Sequence, residues 1–376
     1  MKKGLYLFVV LTTIVCCLCA CATQNVPAAT TTDKAGAETS AGAVSEQSKP
    51  SAAAAEPEYV LKFGYGEAAD PKTSLEHVAA THFKEYIERE SNGRISVQLY
   101  PGGTLGDSEA LIQQVQIGSV QGCPTADAKL ATMFPPIQCL SIPYLFDNRE
   151  VAFKVLDGPI GQEIKDGVLA ATGMRILTIG ENGGFRCFSN NTREIHSPAD
   201  MKGLKFRVMQ SPIMLNMVEN LGATPVAITF NEMYTAIQTN VIQGQENPPS
   251  VVRAFNLDEI QPYYTLDRHT YSISFFVINN GWFEALPSDL QQVVLDASAS
   301  TQKTHRETSA KWEGEAVNDL KERGMKVYEP TPEEIELFRE ATQQPAINYL
   351  KENVGEEWVN KIINAVDSAR TELGLK

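Results

Sequence analysis

The sequence predicts an α/β fold that divides into two lobes with a cleft between them. Strand-like and helix-like segments alternate along the chain, first over residues 59–118 and again over residues 174–237. This alternation is typical of an α/β fold with a mainly parallel sheet. The folded part spans about 320 residues, more than one core usually holds, so we expect two lobes. A chain that crosses between lobes more than once forms a hinge and a cleft, where small ligands usually bind.

The first half of the body begins with a strand and a helix. Apolar residues alternate over residues 59–64 and then recur at helical spacing from Leu75 to Glu90. Strand alternation resumes over residues 95–99. A second helix is predicted from about Ser108 to the residue before Gly118.

The second half repeats this order of elements. Strands are predicted over residues 174–179 and 204–208, and a helix is predicted over residues 211–221. Asn231 is the predicted N-cap of the following helix, which passes through Ile237.

Two capping patterns predict the C-terminal helices. Ser288-Asp289-Leu290-Gln291 predicts a capping box that opens a helix reaching about Arg323. Such a helix would be about 50 Å long, enough to span both lobes. Thr331-Pro332-Glu333-Glu334 predicts a further helix with proline at its first position.

The N-terminus has the pattern of a bacterial export signal. Lys2 and Lys3 precede an apolar run over residues 5–18, which is too short to span a membrane as a stable helix. Leu18-Cys19-Ala20-Cys21 has the spacing of a lipoprotein cleavage box. We therefore predict a signal peptide over residues 1–20, lipidation of Cys21, and an extracytoplasmic body anchored to a membrane by lipid. An uncleaved N-terminal anchor is the alternative, and it places the body on the same side of the membrane.

A low-complexity segment follows the cleavage site. Most residues from 22 to 57 are Ala, Thr, Ser, Gly, Pro, Glu, Lys or Gln, which cannot bury a core. We predict that residues 21–57 are the lipidated cysteine followed by a flexible tether.

The composition and motifs argue against several classes of function. The net charge is −14 and no basic stripe is present, which argues against nucleic-acid binding. The body contains Cys123, Cys139 and Cys187, and no pair has zinc-ligand spacing. We expect buried thiols with at most one disulfide, and no bound metal.

Gly64-Tyr65-Gly66-Glu67-Ala68-Ala69 superficially fits a dinucleotide fingerprint, but Asp70-Pro71 stands where the phosphate-binding helix should begin, so we expect no cofactor.

The segment from Arg207 to Pro249 has the most specific pattern in the chain. It reads RVMQSPIMLNMVENLGATPVAITFNEMYTAIQTNVIQGQENPP. An R-V pair, a G-A-x-P strand entry, an E-x-Y-x-A-x-Q-T helix and a G-Q-E-N-P turn follow each other in order. This combination resembles the substrate-binding proteins of TRAP transporters, the DctP type.

The resemblance extends over nearly the whole body. The segments that carry it are Leu61-Lys62-Phe63-Gly64, Tyr100-Pro101-Gly102, Pro143-Tyr144-Leu145-Phe146, Gly183-Gly184-Phe185-Arg186, Pro198 through Lys205, and His269. It implies a two-lobed, periplasmic-binding-protein-like fold with a central cleft, hinge crossings and a long helix spanning both lobes. The implied boundaries are residues 58–183 with about 273–312 for lobe I, and residues 184–272 with about 313–376 for lobe II.

The resemblance also implies which residues bind the ligand. Arg207 matches the arginine that forms a salt bridge with the ligand carboxylate, and a guanidinium group suits carboxylate geometry while keeping its charge when desolvated. Arg186 matches a second cleft arginine, and Asn247 a cleft asparagine. Phe230 stands where relatives often pack an aromatic ring on the ligand. The open alternatives are structural ion pairs for the arginines, a turn role for Asn247 and a core role for Phe230.

The other wall of the cleft is less defined. Glu67 follows the first strand and is a candidate contact for a hydroxyl or an amine, next to Gly66, where relatives carry a polar residue. Asp127 and Gln210 are further candidates. Relatives that bind amino sugar acids carry glutamate at the position of Ala126, so this departure argues against sialic acid.

The sequence therefore predicts a binding protein rather than an enzyme. No G-x-S-x-G or H-E-x-x-H arrangement is present, and the five histidines are scattered. The expected ligand is a small organic acid, either a sugar acid such as a uronate or a C4-dicarboxylate. The expected partners are the integral membrane subunits of a TRAP transporter, and we expect a monomer. A protein that feeds a sensor receptor and an exported hydrolase are the alternatives.

Overall fold

The computed structural model describes residues 56–375, in which nine strands form one sheet. The strands are β1 Tyr59–Gly64, β2 Ile95–Tyr100, β3 Gly122–Ala126, β4 Met174–Asn190, β5 Lys205–Val208, β6 Thr224–Ala227, β7 Gly244–Asn247, β8 Tyr263–Asn279 and β9 Lys326–Tyr328. Their order across the sheet is β2-β1-β3-β8-β4-β7-β5-β6, and β9 pairs with β8.

Helices cover the sheet and follow most of the strands. They are α1 Leu75–Glu90, α2 Ser108–Ile117, α3 Asp127–Leu130, α4 Arg149–Leu156, α5 Pro159–Thr172, α6 Pro198–Met201, α7 Pro212–Asn220, α8 Phe230–Gln238, α9 Pro249–Ala254, α10 Asn280–Glu284, α11 Ser288–Glu322, α12 Pro332–Asn353 and α13 Glu356–Glu372. Two short 3₁₀ helices cover Pro135–Ser141 and Leu257–Glu259.

The sheet is parallel at its two ends and antiparallel at its centre. β1 pairs in parallel with β2 and β3, and β5 pairs in parallel with β6 and β7. Between these groups, β4 and β8 are antiparallel to each other and to their outer neighbours. We call β1–β3 with α1–α3 the first lobe, and β5–β7 with α7–α9 the second lobe. The prediction of a mainly parallel sheet therefore holds for each lobe but not for the strands that join them.

The long strands β4 and β8 cross from one lobe to the other. Each has 17 residues, and their pairing shifts register between Glu181 and Gly184. Gly183 and Gly184 have φ values of 83° and 93°, which side chains disfavour. A Cβ atom on Gly184 would lie 2.4 Å from the Arg149 guanidinium. This glycine pair is the irregular point at which the chain passes between the lobes.

Helix α11 connects the cores of both lobes. It has 35 residues, a length of about 52 Å at 1.5 Å per residue. Ala297 belongs to the first-lobe core with Phe83, whereas Leu320 belongs to the second-lobe core with Met233. The predicted long helix that spans both lobes is confirmed.

The structure corrects two predicted helix starts. Asn231 lies inside α8, whose N-cap is Thr229. Ser288 is the first residue of α11, behind Pro287 as the N-cap, so its predicted capping box does not form. The capping box at Thr331 does form, with the Glu334 side chain reaching back to the Thr331 N–H.

Helix α13 packs on α4 and on the 3₁₀ helix that contains Cys139. It also packs on α12. The predicted boundaries placed α12 and α13 in lobe II but α4 and this 3₁₀ helix in lobe I, and these boundaries stay a prediction. Cys123, Cys139 and Cys187 are buried and free, so the described body contains no disulfide.

No helix within residues 56–375 is both long and apolar enough to cross a membrane. The predicted signal, Cys21 and most of the predicted tether lie outside the described residues.

Candidate functional site

A cavity of about 180 Å³ lies between the two lobes, beside the hinge. The first lobe contributes Glu67, Glu76 and Lys129 to its lining, which we call the first-lobe wall. On the other side lie Arg186 at the second-lobe end of β4, Arg207 on β5, Phe230 at the start of α8, and Asn247 at the end of β7. These four residues, with Glu246 behind them, are the second-lobe wall. Asn182 and Ser274 line the cavity near the hinge.

Arg207 presents an unsatisfied guanidinium group at the cavity. Only 2% of the residue is exposed, and its Nε atom donates to the Ile228 carbonyl oxygen at 2.9 Å. Its Nη1 atom is buried and has no hydrogen-bond partner in the described part of the chain. The guanidinium lies 5.8 Å from the centre of the Phe230 ring. Burial lowers the pKa of Arg207 to about 10, yet the group stays charged at neutral pH.

Arg186 is instead fully engaged with the protein. Its guanidinium forms a bidentate ion pair with Glu246, in which Nη2 lies 2.9 Å from Oε1. Nη2 also donates to Asn247 Oδ1 at 3.0 Å, and Nη1 donates to Ser272 Oγ at 3.2 Å. Because both Arg186 and Glu246 are buried, this pair adds no net charge to the cavity.

The ion pair continues into a buried cluster behind the wall. His269 Nε2 lies 3.4 Å from Glu246, and His269 Nδ1 lies 2.8 Å from Asp267. Burial alone raises the pKa of a carboxyl group, but Arg186 and His269 lower the pKa of Glu246 to about 2. Burial alone lowers the pKa of a histidine, but Asp267 and Glu246 raise the pKa of His269 to about 9. Two cations therefore face two anions at neutral pH.

Asn247 is held in place by the same network. Its Oδ1 accepts from Arg186, its Nδ2 donates to Gln245 Oε1, and its backbone oxygen accepts from the Tyr264 hydroxyl at 2.9 Å. The residue is 3% exposed at the cavity edge. The second-lobe wall is therefore rigid and nearly saturated, with the Arg207 Nη1 atom as its open donor.

The first-lobe wall contains two carboxyl groups held by reciprocal hydrogen bonds. Glu67 Oε2 accepts from Ser74 Oγ at 2.7 Å and from the Glu76 N–H at 3.1 Å, at the N-terminus of α1. Glu76 Oε2 accepts from the N–H groups of Gly66 at 3.1 Å and Glu67 at 3.0 Å. Burial, together with the charge of Glu67, raises the pKa of Glu76 to about 8. Burial also raises the pKa of Glu67.

Five of the seven predicted binding residues line one cavity: Arg207, Arg186, Asn247, Phe230 and Glu67. Gln210 is exposed and does not line it. Asp127 is 2% exposed, outside the lining, and accepts from Ser141 Oγ at 3.2 Å. Burial raises the pKa of Asp127 to about 6. The ligand contacts themselves stay predictions.

Sequence reasoning missed several charged residues of this region, among them Asp107 and Glu109 in the cavity lining. Glu246 stands inside the quoted G-Q-E-N-P turn, but its pairing with Arg186 depends on the antiparallel register that places Phe188 opposite Glu246. Glu76 is an acidic residue in the first turn of α1, a position usually explained by the helix dipole. Lys129 shows no sequence signal; its Nζ lies 3.3 Å from Glu109 in a salt bridge. Among residues 56–375, no cluster of metal-ligating side chains is found.

Comparisons with known proteins agree with this geometry. The family model of the bacterial extracellular solute-binding protein, family 7 (DctP), matches residues 65–352. The crystal structure of the sugar acid binding protein DctPAm from Advenella mimigardefordensis strain DPN7T, in complex with galactonate, superposes with a TM-score of 0.79 and 36% identity, covering 84% of this chain and 99% of that chain.

Two further similar proteins are binding proteins for other organic acids. A TRAP periplasmic solute-binding protein from Polaromonas sp. JS666, bound to D-erythronate, has a TM-score of 0.76 and 30% identity, covering 81% of this chain and 98% of that chain. The C4-dicarboxylate-binding periplasmic protein DctP of Rhodobacter capsulatus is 31% identical over 324 residues, covering 85% of this chain and 93% of the relative.

Proposed function

The chain belongs to the bacterial extracellular solute-binding protein family 7, the DctP family, and on this premise we propose that it captures a small organic acid in the cleft between its lobes. The carboxylate of the acid binds to Arg207. The observation that supports this most strongly is that Arg207 lines the cavity while its buried Nη1 atom has no hydrogen-bond partner in the described part of the chain. An unsatisfied buried donor costs about 1–3 kcal/mol, and more when it is charged. An anionic ligand removes this cost on binding.

Arg207 provides only part of the binding free energy. A hydrogen bond to a charged group contributes about 1.5–3 kcal/mol, whereas micromolar to nanomolar binding requires about 8–12 kcal/mol. The remainder must come from the first-lobe wall, from Phe230 and from closure of the lobes. Closure is favoured only by the additional contacts that the ligand makes in the closed state. The glycine pair in β4 allows this movement, because Gly183 and Gly184 lie where the chain changes lobe.

The preferred acid is a sugar acid. Two of the similar structures contain galactonate and D-erythronate, which are monocarboxylates with several hydroxyl groups. The first-lobe wall offers carboxyl oxygens that accept hydrogen bonds from hydroxyl groups. Members of the family are binding proteins, and this protein releases its ligand unchanged to the membrane subunits of a TRAP transporter.

The location follows the sequence prediction. The body acts outside the cytoplasm, where Cys21 carries the lipid anchor, and the protein acts as a monomer. Replacement of Cys21 by serine is expected to release the protein from the membrane fraction into the soluble fraction. Retention of the Cys21→Ser protein in the membrane fraction would contradict the lipid anchor and leave the binding function unaffected.

The decisive experiment measures ligand binding with and without the Arg207 guanidinium. Melting temperatures are recorded for the purified protein with aldonates, uronates, dicarboxylates, neutral sugars and amino acids. A ligand at a hundred times its Kd adds about 2.7 kcal/mol, which raises Tm by a few degrees. We expect stabilisation by at least one acid, lost in Arg207→Ala and retained in Arg89→Ala, which changes an exposed arginine outside the cavity. Stabilisation by neutral solutes alone, or wild-type affinity in Arg207→Ala, would refute the proposed function.

A further inference from the structure

The Glu67–Glu76 pair is an unusual feature for a site that binds anions. Both carboxyl groups line the same cavity as Arg207, on the opposite wall. The side chain of each residue accepts a hydrogen bond from the backbone of the other: Glu67 accepts from the Glu76 N–H, and Glu76 accepts from the Glu67 N–H. This reciprocal arrangement fixes the loop after β1 to the first turn of α1. The two acidic groups therefore keep a fixed position at the cavity.

The hydrogen bonds and the protonation of the two carboxyl groups determine what the pair can offer a ligand. The hydrogen bonds from Ser74 Oγ and from the N–H groups of Gly66, Glu67 and Glu76 all reach the Oε2 atoms. Burial raises the pKa of Glu67, and the Leu75 N–H is a further donor that lowers it. Burial and the charge of Glu67 raise the pKa of Glu76 to about 8, so the Glu76 carboxyl group is mainly protonated at neutral pH. The pair can therefore donate a hydrogen bond to a ligand as well as accept one, and Glu67 is its negatively charged member.

The cations around the cavity do not provide a second anion site. The charge of Arg186 is balanced by Glu246, with which it forms a bidentate pair. Lys129 lies on the side of the Glu67–Glu76 pair, where its charge lowers the pKa of Glu76, and it forms a salt bridge with Glu109. Arg207 is thus the one lining cation without a carboxylate partner in the described chain. The cavity therefore offers one cation without a carboxylate partner, which suits one carboxylate of a ligand.

Given the proposed function, on which this step rests, we infer that the Glu67–Glu76 pair is the specificity determinant that selects a hydroxylated monocarboxylate and rejects a dicarboxylate. With one carboxylate on Arg207, the far end of the ligand lies against the first-lobe wall. A hydroxyl group there forms hydrogen bonds with the carboxyl groups of the pair. A second carboxylate there meets a like charge and lacks a proton to donate.

Matched acids that differ only at the far end provide the test. Aldonates and the corresponding aldarates share their carbon chain and hydroxyl groups, but the aldarate carries a carboxylate in place of the terminal CH₂OH group. Pairs of four to six carbons are titrated calorimetrically at pH 7, with succinate as a dicarboxylate lacking hydroxyl groups. We expect the best aldonate to bind at least about tenfold more tightly than its aldarate, equivalent to about 1.4 kcal/mol.

Variants then assign this preference to the pair. Glu67→Gln and Glu76→Gln combined keep the shape and hydrogen-bonding capacity of the pair but remove its negative charge. We expect the aldonate preference to fall below about threefold, mainly through tighter aldarate binding. Glu85→Gln, an exposed carboxylate on the same helix and outside the cavity, should leave the preference unchanged. Circular dichroism and Tm establish that each variant is folded, and the single variants replace the double one if it is not.

The outcomes separate this inference from the proposed function. If the wild type binds aldarates or succinate as tightly as aldonates, and Arg207→Ala loses all of them, the specificity inference is wrong and the carboxylate site stands. A folded double variant that keeps the full aldonate preference also overturns the inference. If no acid binds, or if binding survives Arg207→Ala, the proposed function itself fails.

Discussion

The two walls of the cavity use glutamate in opposite ways. In the second-lobe wall, Glu246 is buried against Arg186 and His269, and these cations lower its pKa to about 2. In the first-lobe wall, Glu76 is bound by backbone N–H groups and lies near Glu67, and its pKa is raised to about 8. One carboxyl group is therefore always ionised under physiological conditions, whereas the other is mainly protonated.

This difference separates anchoring from selection. The second-lobe wall is a closed network of paired charges in which Arg207 is the open member, so it can hold the carboxylate that every organic acid shares. The first-lobe wall has two carboxyl groups at the cavity and a titratable proton on Glu76, so it can respond to what distinguishes one acid from another. Relatives with different ligands can then share one wall and differ in the other.

Replacement of glutamate by glutamine should change the free energy of unfolding very differently in the two walls, and this is the largest difference that we expect. Glu246→Gln leaves Arg186 and His269 buried without their shared anion, and breaking a buried ion pair in this way costs about 3–5 kcal/mol. Glu67→Gln keeps an acceptor for Ser74 Oγ and removes a like charge beside Glu76, so we expect a change within about 0.5 kcal/mol. Chemical denaturation gives the free energy of unfolding for both variants. Equal losses would show that the two walls do not differ in the way proposed.

The contrast also explains what the sequence could predict. The bounds of α1 and α2 followed from apolar periodicity and capping, because those signals lie within a few residues of each other. The motif around Arg207 placed that residue at the cavity. Residues 174–179 indicated only the beginning of β4, because Gly180, Gly183 and Gly184 interrupt the strand pattern that follows.

The sequence alone could not predict which side chains pair with each other in the folded protein. Arg186 and Glu246 are 60 residues apart and meet through the register of β4 with β7. Glu67 and Glu76 are nine residues apart, but their reciprocal bonds depend on the path of the loop between β1 and α1. Local patterns predicted the elements, and the resemblance of the segment around Arg207 predicted a residue that lines the cavity, whereas the charge pairing in the cavity required the three-dimensional structure.

The free energy of unfolding should depend on pH through His269, which lies behind the second-lobe wall. The pKa of His269 is raised from 6.5 to about 9, so its stabilising contribution is complete below pH 6.5 and is lost as the pH rises through about 9. The loss amounts to up to about 3 kcal/mol. We expect the free energy of unfolding to fall between pH 6.5 and 9 in the wild type. The part of this fall above pH 8, which we call the alkaline limb, lies beyond the range in which the raised pKa of Glu76 acts and should be absent in His269→Gln.

His305 provides the matched control for this measurement. It is also buried, but its Nδ1 has no partner among residues 56–375, and burial lowers its pKa to about 4. Its contribution is therefore lost on the acid side, as the pH falls from 6.5 through 4. His305→Asn should flatten the acid limb and keep the alkaline limb. An alkaline limb that persists in His269→Gln would exclude His269 as its cause.

The smallest expected effect is the pH dependence of ligand affinity, which tests the first-lobe wall directly. Two charged groups act on Glu76: Glu67 in the loop after β1 and Lys129 on α3. Nearby, the Tyr65 hydroxyl forms a hydrogen bond with His77 Nδ1. Because the pKa of Glu76 is raised to about 8, deprotonation above this pH removes a donor and adds a second negative charge opposite Arg207. The affinity for an aldonate should therefore fall by up to about tenfold between pH 7 and 9.

Calorimetric titrations at pH 6, 7, 8 and 9 measure this dependence, since a sugar acid carboxylate remains ionised throughout that range. Glu76→Gln should bind with nearly constant affinity, because its amide cannot lose the proton. His269 titrates in the same range, so the comparison of Glu76→Gln with the wild type, rather than the wild-type curve alone, assigns the effect. If both proteins lose affinity equally above pH 8, the proton lies on the second-lobe side and the two walls share the task of selection.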